Sequence, residues 1–245
     1  MADISYERSV VPVRSDLERA HRQVWRHIAS PGTWLDGAQR VAVAAEARRA
    51  RGCALCRRRK EALSPYTVAG DHETLEALPE AWIEVVHRIA TDPGRLTKQW
   101  YEKMLGDGVA DAEYVEIVGV VAHITAVDTF TRGMGVEPHP LPAPQPGPPS
   151  RYRPAEARQH DAWTPNIAWD RHGPNEADFF VGPGSNIQRA MTLVPDEARS
   201  FFRLAQYQYL SMEQIGDVKG TYRAIDRSQI ELIAARVSAL NLCTY

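Results

Sequence analysis

The chain has 245 residues, 44% hydrophobic and 24% charged, with a formal net charge of −2. That balance belongs to a globular chain and gives no generic attraction to nucleic acid or to an anionic membrane. No uninterrupted apolar run approaches the ~18 residues of a membrane span, and the opening "MADISYERSVVPVRSD" lacks the apolar stretch of a secretory signal.

Three cysteines are an odd number and do not resemble a secreted disulfide framework. The expected location is a reducing cytoplasm, where a C-x-x-C pair is catalytic or metal-binding rather than structural.

In chain order, the segment 16–136 predicts helices throughout. "SDLERAHRQVWRHIA" opens on Ser15 or Asp16 as a cap and places Leu17, Ala20, Val24 and Ile28 at helical spacing. "SPGTW" breaks it. "DGAQRVAVAAEARRAR" is Ala-rich, starts on Asp36 and stops at Gly52, so that Cys53 and Cys56 stand at the start of the next helix. "HETLEALPEAWIEVVHRIATD" and "GRLTKQWYEKML" continue the helical pattern, and "DAEYVEIVGVVAHITAVDTFTRGMG" is a long apolar helix ending at Gly135. No alternating strand pattern interrupts them, which predicts an all-α fold.

The proline density of "EPHPLPAPQPGPPSRYRP" predicts an extended connector. The stretch 155–187 carries Trp163, Trp169, Phe179 and Phe180, and is expected to wrap over a helical surface. Helical patterning resumes in "NIQRAMTLVPDEARSFFRLAQYQYL", breaks near "GDVKGTY", and returns in "DRSQIELIAARVSALN" ahead of Cys243. The expected organisation is a first helical unit over 1–136, a linker over 137–183 and a second helical unit over 184–245.

Placing Cys53 over Cys243 aligns "DGAQRVAVAAEARRARGCAL" with "DRSQIELIAARVSALNLCTY". Asp36 meets Asp226, Gln39 meets Gln229, and Ala44–Ala45 meet Ala234–Ala235. Both windows read as capped helix, short break, cysteine, which predicts two copies of one helical unit.

At these residues the chain resembles the alkylhydroperoxidase D / carboxymuconolactone decarboxylase superfamily. Its pattern is a glutamate, eleven residues, C-x-x-C, and a histidine four residues later. Glu231 stands twelve positions before Cys243, as that pattern asks. In the first copy Val41 occupies the glutamate position and Lys60 the histidine position. Some superfamily members carry selenocysteine at the second position of the pair, one residue beyond "CTY". The resemblance therefore implies a chain truncated at a selenocysteine codon, with a natural terminus as the alternative.

The resemblance also implies tandem helical units, a homo-oligomer, and reduction of hydroperoxides by a thiol or selenol pair. Its catalytic residues would be Cys53 and Cys56 in the first copy, and Cys243 with Glu231 as base in the second. Its partners would be a hydroperoxide substrate and a thiol reductant; no cofactor is expected, and the near-neutral charge and lack of a long apolar run predict no nucleic-acid or membrane partner.

The chemistry asks for a thiolate nucleophile and a second sulfur that condenses with the sulfenic acid. Spacing of i and i+3 at a helix start puts both sulfurs on one side, and the helix N-terminus lowers a thiol pKa. Arg48, Arg49, Arg51, Arg57, Arg58, Arg59 and Lys60 surround the pair. Most read as a solvated basic face, with Arg57 a candidate for thiolate support.

Glu46 is a candidate for the missing relay glutamate, although a surface ion pair with Arg49 or Arg51 is the favoured reading. His123 and Asp128, on the long apolar helix, are candidates for a polar group near the thiols; for His123 a hydrogen-bonded core position is favoured. A zinc site is disfavoured, since neither a second C-x-x-C nor closely spaced histidines are present. Besides the peroxidase or disulfide reductase, two readings stay open: a thiol-independent decarboxylase or lactone-processing enzyme, and a non-catalytic helical interaction module.

Overall fold

The computed structural model describes residues 4–179 and 186–243. Phe180 lies outside them. The chain is all-helical, and the described residues form no strand beyond two isolated antiparallel bridges, Arg158–Asn166 and Ala168–Arg171. The helices are α1 (Ser15–Ala29), α2 (Gly37–Ala50), α3 (Ala54–Glu61), α4 (Glu80–Thr91), α5 (Lys98–Gly106), α6 (Asp111–Gly133), α7 (Asn186–Arg189), α8 (Pro195–Gln208), α9 (Met212–Gly216) and α10 (Arg227–Leu240). Short 3-10 turns at Pro65–Thr67, Pro93–Arg95 and Pro174–Phe179 join them.

The amphipathic spacing of α1 buries Leu17, Ala20, Val24 and Ile28, as the sequence predicts, and adds His21 and Trp25 to the same face. Its cap position is Arg14, ahead of the expected Ser15 or Asp16. Two segments are shorter as helices than their patterning predicts. Residues 71–79 form a loop, and α4 begins only at Glu80, because Pro79 disfavours helical backbone at Leu78 before it. Likewise Pro195 sets the start of α8 and leaves 190–194 as a turn.

α6 is the central helix, packed by α2, α4, α8 and α1. In length and hydropathy it matches a membrane span, but 67% of that stretch is buried inside this fold. Ile117, Val120, Val121, Ile124 and Val127 sit in the main core, where each buried aliphatic side chain stabilises the fold by about 1.5–3 kcal/mol. Leu193, Val194, Ala198 and Leu204 join that core from the far side of the proline-rich run.

The run itself is a strap over α1. Trp25 Nε1 donates to the carbonyl of Pro140 at 2.9 Å, and Gln145 N–H donates to the carbonyl of Ala29 at 2.8 Å. In the stretch that follows, Ala157 and Ile167 are buried, while Trp163 and Trp169 stay part-exposed.

The two aligned windows form matching helices. α2 is capped by Asp36 with Gln39 returning the bond, and α10 by Asp226 with Gln229. Their surroundings differ. α2 lies between α4 and α6 and buries Val43, Ala47 and Ala50. The corresponding Ile233, Val237 and Leu240 of α10 are 55%, 52% and 64% exposed.

Candidate functional site

Cys53 is the N-cap of α3, and Cys56 lies in its first turn. Both are buried, at 1% and 4% exposure. Gly52 ends the preceding segment, so the chain reverses tightly between α2 and α3 and sets the pair beside α4. The loop 68–79 then passes over the pair. Gly70, at φ +141°, turns that loop close against Arg58 and Leu55, where a Cβ would crowd the Arg58 guanidinium.

Two histidines complete the site. His72 Nδ1 lies 3.6 Å from Cys53 Sγ and 3.6 Å from Cys56 Sγ. His87 Nδ1, from the buried face of α4, lies 3.2 Å from Cys56 Sγ. The four donor atoms lie within 4.8 Å of one another. Each imidazole reaches a carboxylate with its other nitrogen: His72 Nε2 to Glu84 Oε2, and His87 Nε2 to Glu46 Oε1, both at 2.7 Å.

Each carboxylate is held in turn. Glu84 accepts from Arg59 Nη1 at 2.8 Å and from Trp100 Nε1 at 3.1 Å. Glu46 accepts the Leu75 N–H at 3.0 Å. Glu73 caps the start of α3 by accepting the Ala54 N–H, and pairs with Arg49.

The electrostatics follow from these contacts. Burial pushes the Cys53 thiol up, but the Cys56 N–H, His72 and the Glu73 N–H outweigh it and hold it at about 7. Burial likewise opposes protonation of His72, yet its bonds to Cys56, Glu84 and Cys53 raise it to about 10. Glu84 is lowered to about 2 by His72, Arg59 and Trp100 against the cost of burial. His87 is lowered, chiefly by burial and further by the charge of His72, although Glu46 pulls the other way. One histidine is thus poised as a cation and the other as a neutral acceptor.

The sequence placed Cys53 and Cys56 correctly at a helix start and missed both histidines. Glu46 is not the surface ion-pair partner that the neighbouring arginines suggested. It is fully buried, and Arg49 pairs with Glu73 instead. Small residues cause this: Ala47 and Ala50 let α4 close on α2 and turn that face inward.

His123 is buried away from the thiols, donating from Nδ1 to the Gly119 carbonyl at 2.7 Å, with Glu197 and His27 beside it. Asp128 forms a two-pronged ion pair with Arg48. Arg57 is exposed and lines a cavity that Cys56 also lines. Glu231 is bound to Tyr209 and Arg227. Cys243 is exposed beyond the end of α10, its N–H turned back to the Ser238 carbonyl at 2.9 Å.

The disfavoured metal reading also changes here, because ligands absent from the local sequence arrive from the loop and from α4. No family profile matches the chain, and neither curated proteins nor solved structures gave a match.

Proposed function

We propose that Cys53 and Cys56 form a dithiol redox centre that reduces hydroperoxides or disulfides, as the resemblance to the alkylhydroperoxidase D superfamily implies. The observation that carries this reading is the buried chain Glu46–His87–Cys56, at 2.7 Å and 3.2 Å. A carboxylate fixing an imidazole that faces a thiol is the arrangement of an activated sulfur nucleophile.

With Nε2–H donated to Glu46, His87 Nδ1 is the acceptor for the Cys56 proton. Cys53, at the helix N-terminus, is the attacking sulfur. In the first step Cys53 sulfur bonds to the distal peroxide oxygen, the O–O bond breaks, and the alcohol leaves with a proton supplied by His72. In the second, Cys56 gives its proton to His87 and displaces hydroxide from the sulfenic acid. The hydroxide leaves as water, and a Cys53–Cys56 disulfide remains. A thiol reductant restores the pair.

Glu46 stands here for the glutamate that the family pattern puts at Val41, and His87 for the histidine it puts at Lys60. The test is thiol titration and peptide mapping before and after one equivalent of hydroperoxide. A Cys53–Cys56 disulfide with one peroxide consumed supports the reading, and Cys53→Ser should abolish turnover. Thiols that stay reduced under these conditions would point to a thiol-independent enzyme or an interaction module.

A further inference from the structure

We infer that Cys53 Sγ, Cys56 Sγ, His72 Nδ1 and His87 Nδ1 form a tetrahedral site for a thiophilic divalent cation, zinc fitting best, which is held by the dithiol and released by the disulfide. The release half rests on the redox reading above; the binding half stands without it.

Geometry is the first argument. Zinc bonds of about 2.3 Å to sulfur and about 2.0–2.1 Å to imidazole, at tetrahedral angles, give a sulfur–nitrogen edge of about 3.6 Å. Three of the four sulfur–nitrogen separations here are 3.6, 3.6 and 3.2 Å, and the fourth, Cys53 to His87, is within 4.8 Å. Those three edges match such an ion closely, and all four donor atoms lie within 4.8 Å of one another.

The carboxylates are the second argument. Both imidazoles turn Nδ1 toward the sulfurs and bind Glu84 or Glu46 through Nε2. This outer shell fixes a ligating histidine's tautomer and raises its basicity. A single proton relay needs one such carboxylate; the site has one for each histidine. The third argument is the donor set. Two thiolates balance a dication, sulfur and imidazole exclude magnesium and calcium, and four protein ligands, three buried and His72 only partly exposed, close the coordination sphere.

Oxidation would dismantle the site. The bound dithiolate, one hydroperoxide and two protons yield the disulfide, an alcohol, water and the free cation. The two electrons lost by sulfur are those gained by the O–O bond. Two imidazoles alone then remain, and the ion leaves.

The test titrates the reduced full-length protein with Co2+ and then Zn2+. Expected is one equivalent of Co2+ giving intense tetrahedral d–d bands and thiolate charge-transfer bands, displaced by Zn2+ and absent from the disulfide form. The disulfide form is a control that does not depend on any variant folding. Glu46→Gln and Glu84→Gln should each weaken zinc binding by roughly 10–100-fold. A weak octahedral cobalt spectrum from fully reduced protein would overturn the site. Zinc retained after the disulfide is verified by mass would overturn the release. Tight zinc binding with no disulfide on peroxide treatment would leave the site standing and overturn the redox reading together with the switch.

Discussion

His87 Nε2 lies 2.7 Å from Glu46 Oε1, and both side chains are fully shielded from water. Because the other Glu46 oxygen accepts the Leu75 N–H, the carboxylate presents only acceptors to the ring. That fixes the imidazole tautomer and leaves Nδ1 as the group facing Cys56. Glu46→Gln keeps the shape and reverses this logic. The amide oxygen takes the Leu75 N–H, its NH2 faces His87, and the ring must turn Nδ1–H toward the sulfur. We expect disulfide closure after peroxide to slow by roughly 100-fold or more, the scale of a lost general base, while small alkylating reagents reach Cys53 at a nearly unchanged rate. Stopped-flow thiol loss with mass mapping measures both. Closure at the unmutated rate would remove His87 from the chemistry.

The helices and the cysteine pair were legible because their signals are local. Asp36 with Gln39, and Asp226 with Gln229, announce two helix starts, and the structure builds both capping boxes. The histidines were not legible. His72 is 19 residues from Cys53, and His87 is 31 from Cys56. Their meeting depends on the path of one loop and on α4 lying against α2. Some signal existed at His87, a polar residue on the apolar face that includes Ile83 and Val86. Glu46 misled for the opposite reason: the arginines at 48, 49 and 51 describe a surface, while Val43, Ala47 and Ala50 describe the buried face that Glu46 shares.

A pH dependence follows from His21, remote from the thiols. The Gln208 amide N–H donates to His21 Nε2 at 2.9 Å, so the neutral ring carries its proton on Nδ1 and donates it to the Tyr6 oxygen at 2.6 Å. Burial, helped by His139, lowers His21 to about 4 from an ordinary 6.5. The folded state thus holds a neutral ring that the unfolded chain protonates first. The stability it contributes is full above pH 6.5 and is lost as pH falls toward 4, a loss of roughly 3 kcal/mol at most. Urea titrations at pH 7, 5.5 and 4.5 should show this fall, and His21→Gln should make it shallower, leaving the share contributed by the other buried histidine lowered to about 4, His123. An unchanged slope with pH in the variant would assign the acid sensitivity elsewhere.

Arg40 touches two fully buried carboxylates, Glu116 at 2.5 Å and Glu197 at 2.6 Å, and it also donates to the His27 carbonyl. It joins α2 to α6 and α8 with all three side chains shielded from water. Burial pushes the Glu116 carboxyl up despite Arg40. Arg40→Met fills similar volume and removes the guanidinium charge that both carboxylates share. Two buried carboxylates then lose their common partner, and the expected cost is about 3–5 kcal/mol. The triple variant Arg40→Met, Glu116→Gln, Glu197→Gln should regain much of that loss. Denaturant midpoints of the two variants decide it; equal midpoints would mean that the charges are not what the single variant loses.

Gly119 sets two rules against each other. It sits within α6, where a glycine costs about 0.5–1 kcal/mol relative to alanine, so helix propensity alone predicts that Gly119→Ala stabilises. The packing says otherwise. A Cβ at this position would stand 2.4 Å from Glu197 Oε2, 2.8 Å from its Cγ and 2.9 Å from its Cβ. The first atom is the end of a side chain, but the last is anchored to α8, and Glu197 is also tied to Arg40 and His27. Glu197 therefore cannot swing aside without breaking its charge partners. α8 must move outward instead, at the roughly 1–3 kcal/mol typical of overpacking. That strain exceeds the propensity gain, and we expect Gly119→Ala to lower the urea midpoint. Combined with Glu197→Gly, which removes all three crowding atoms, the alanine at 119 should recover its propensity advantage and cost nothing beyond Glu197→Gly alone. A stabilised single variant would show that α8 yields to α6 more easily than this packing implies.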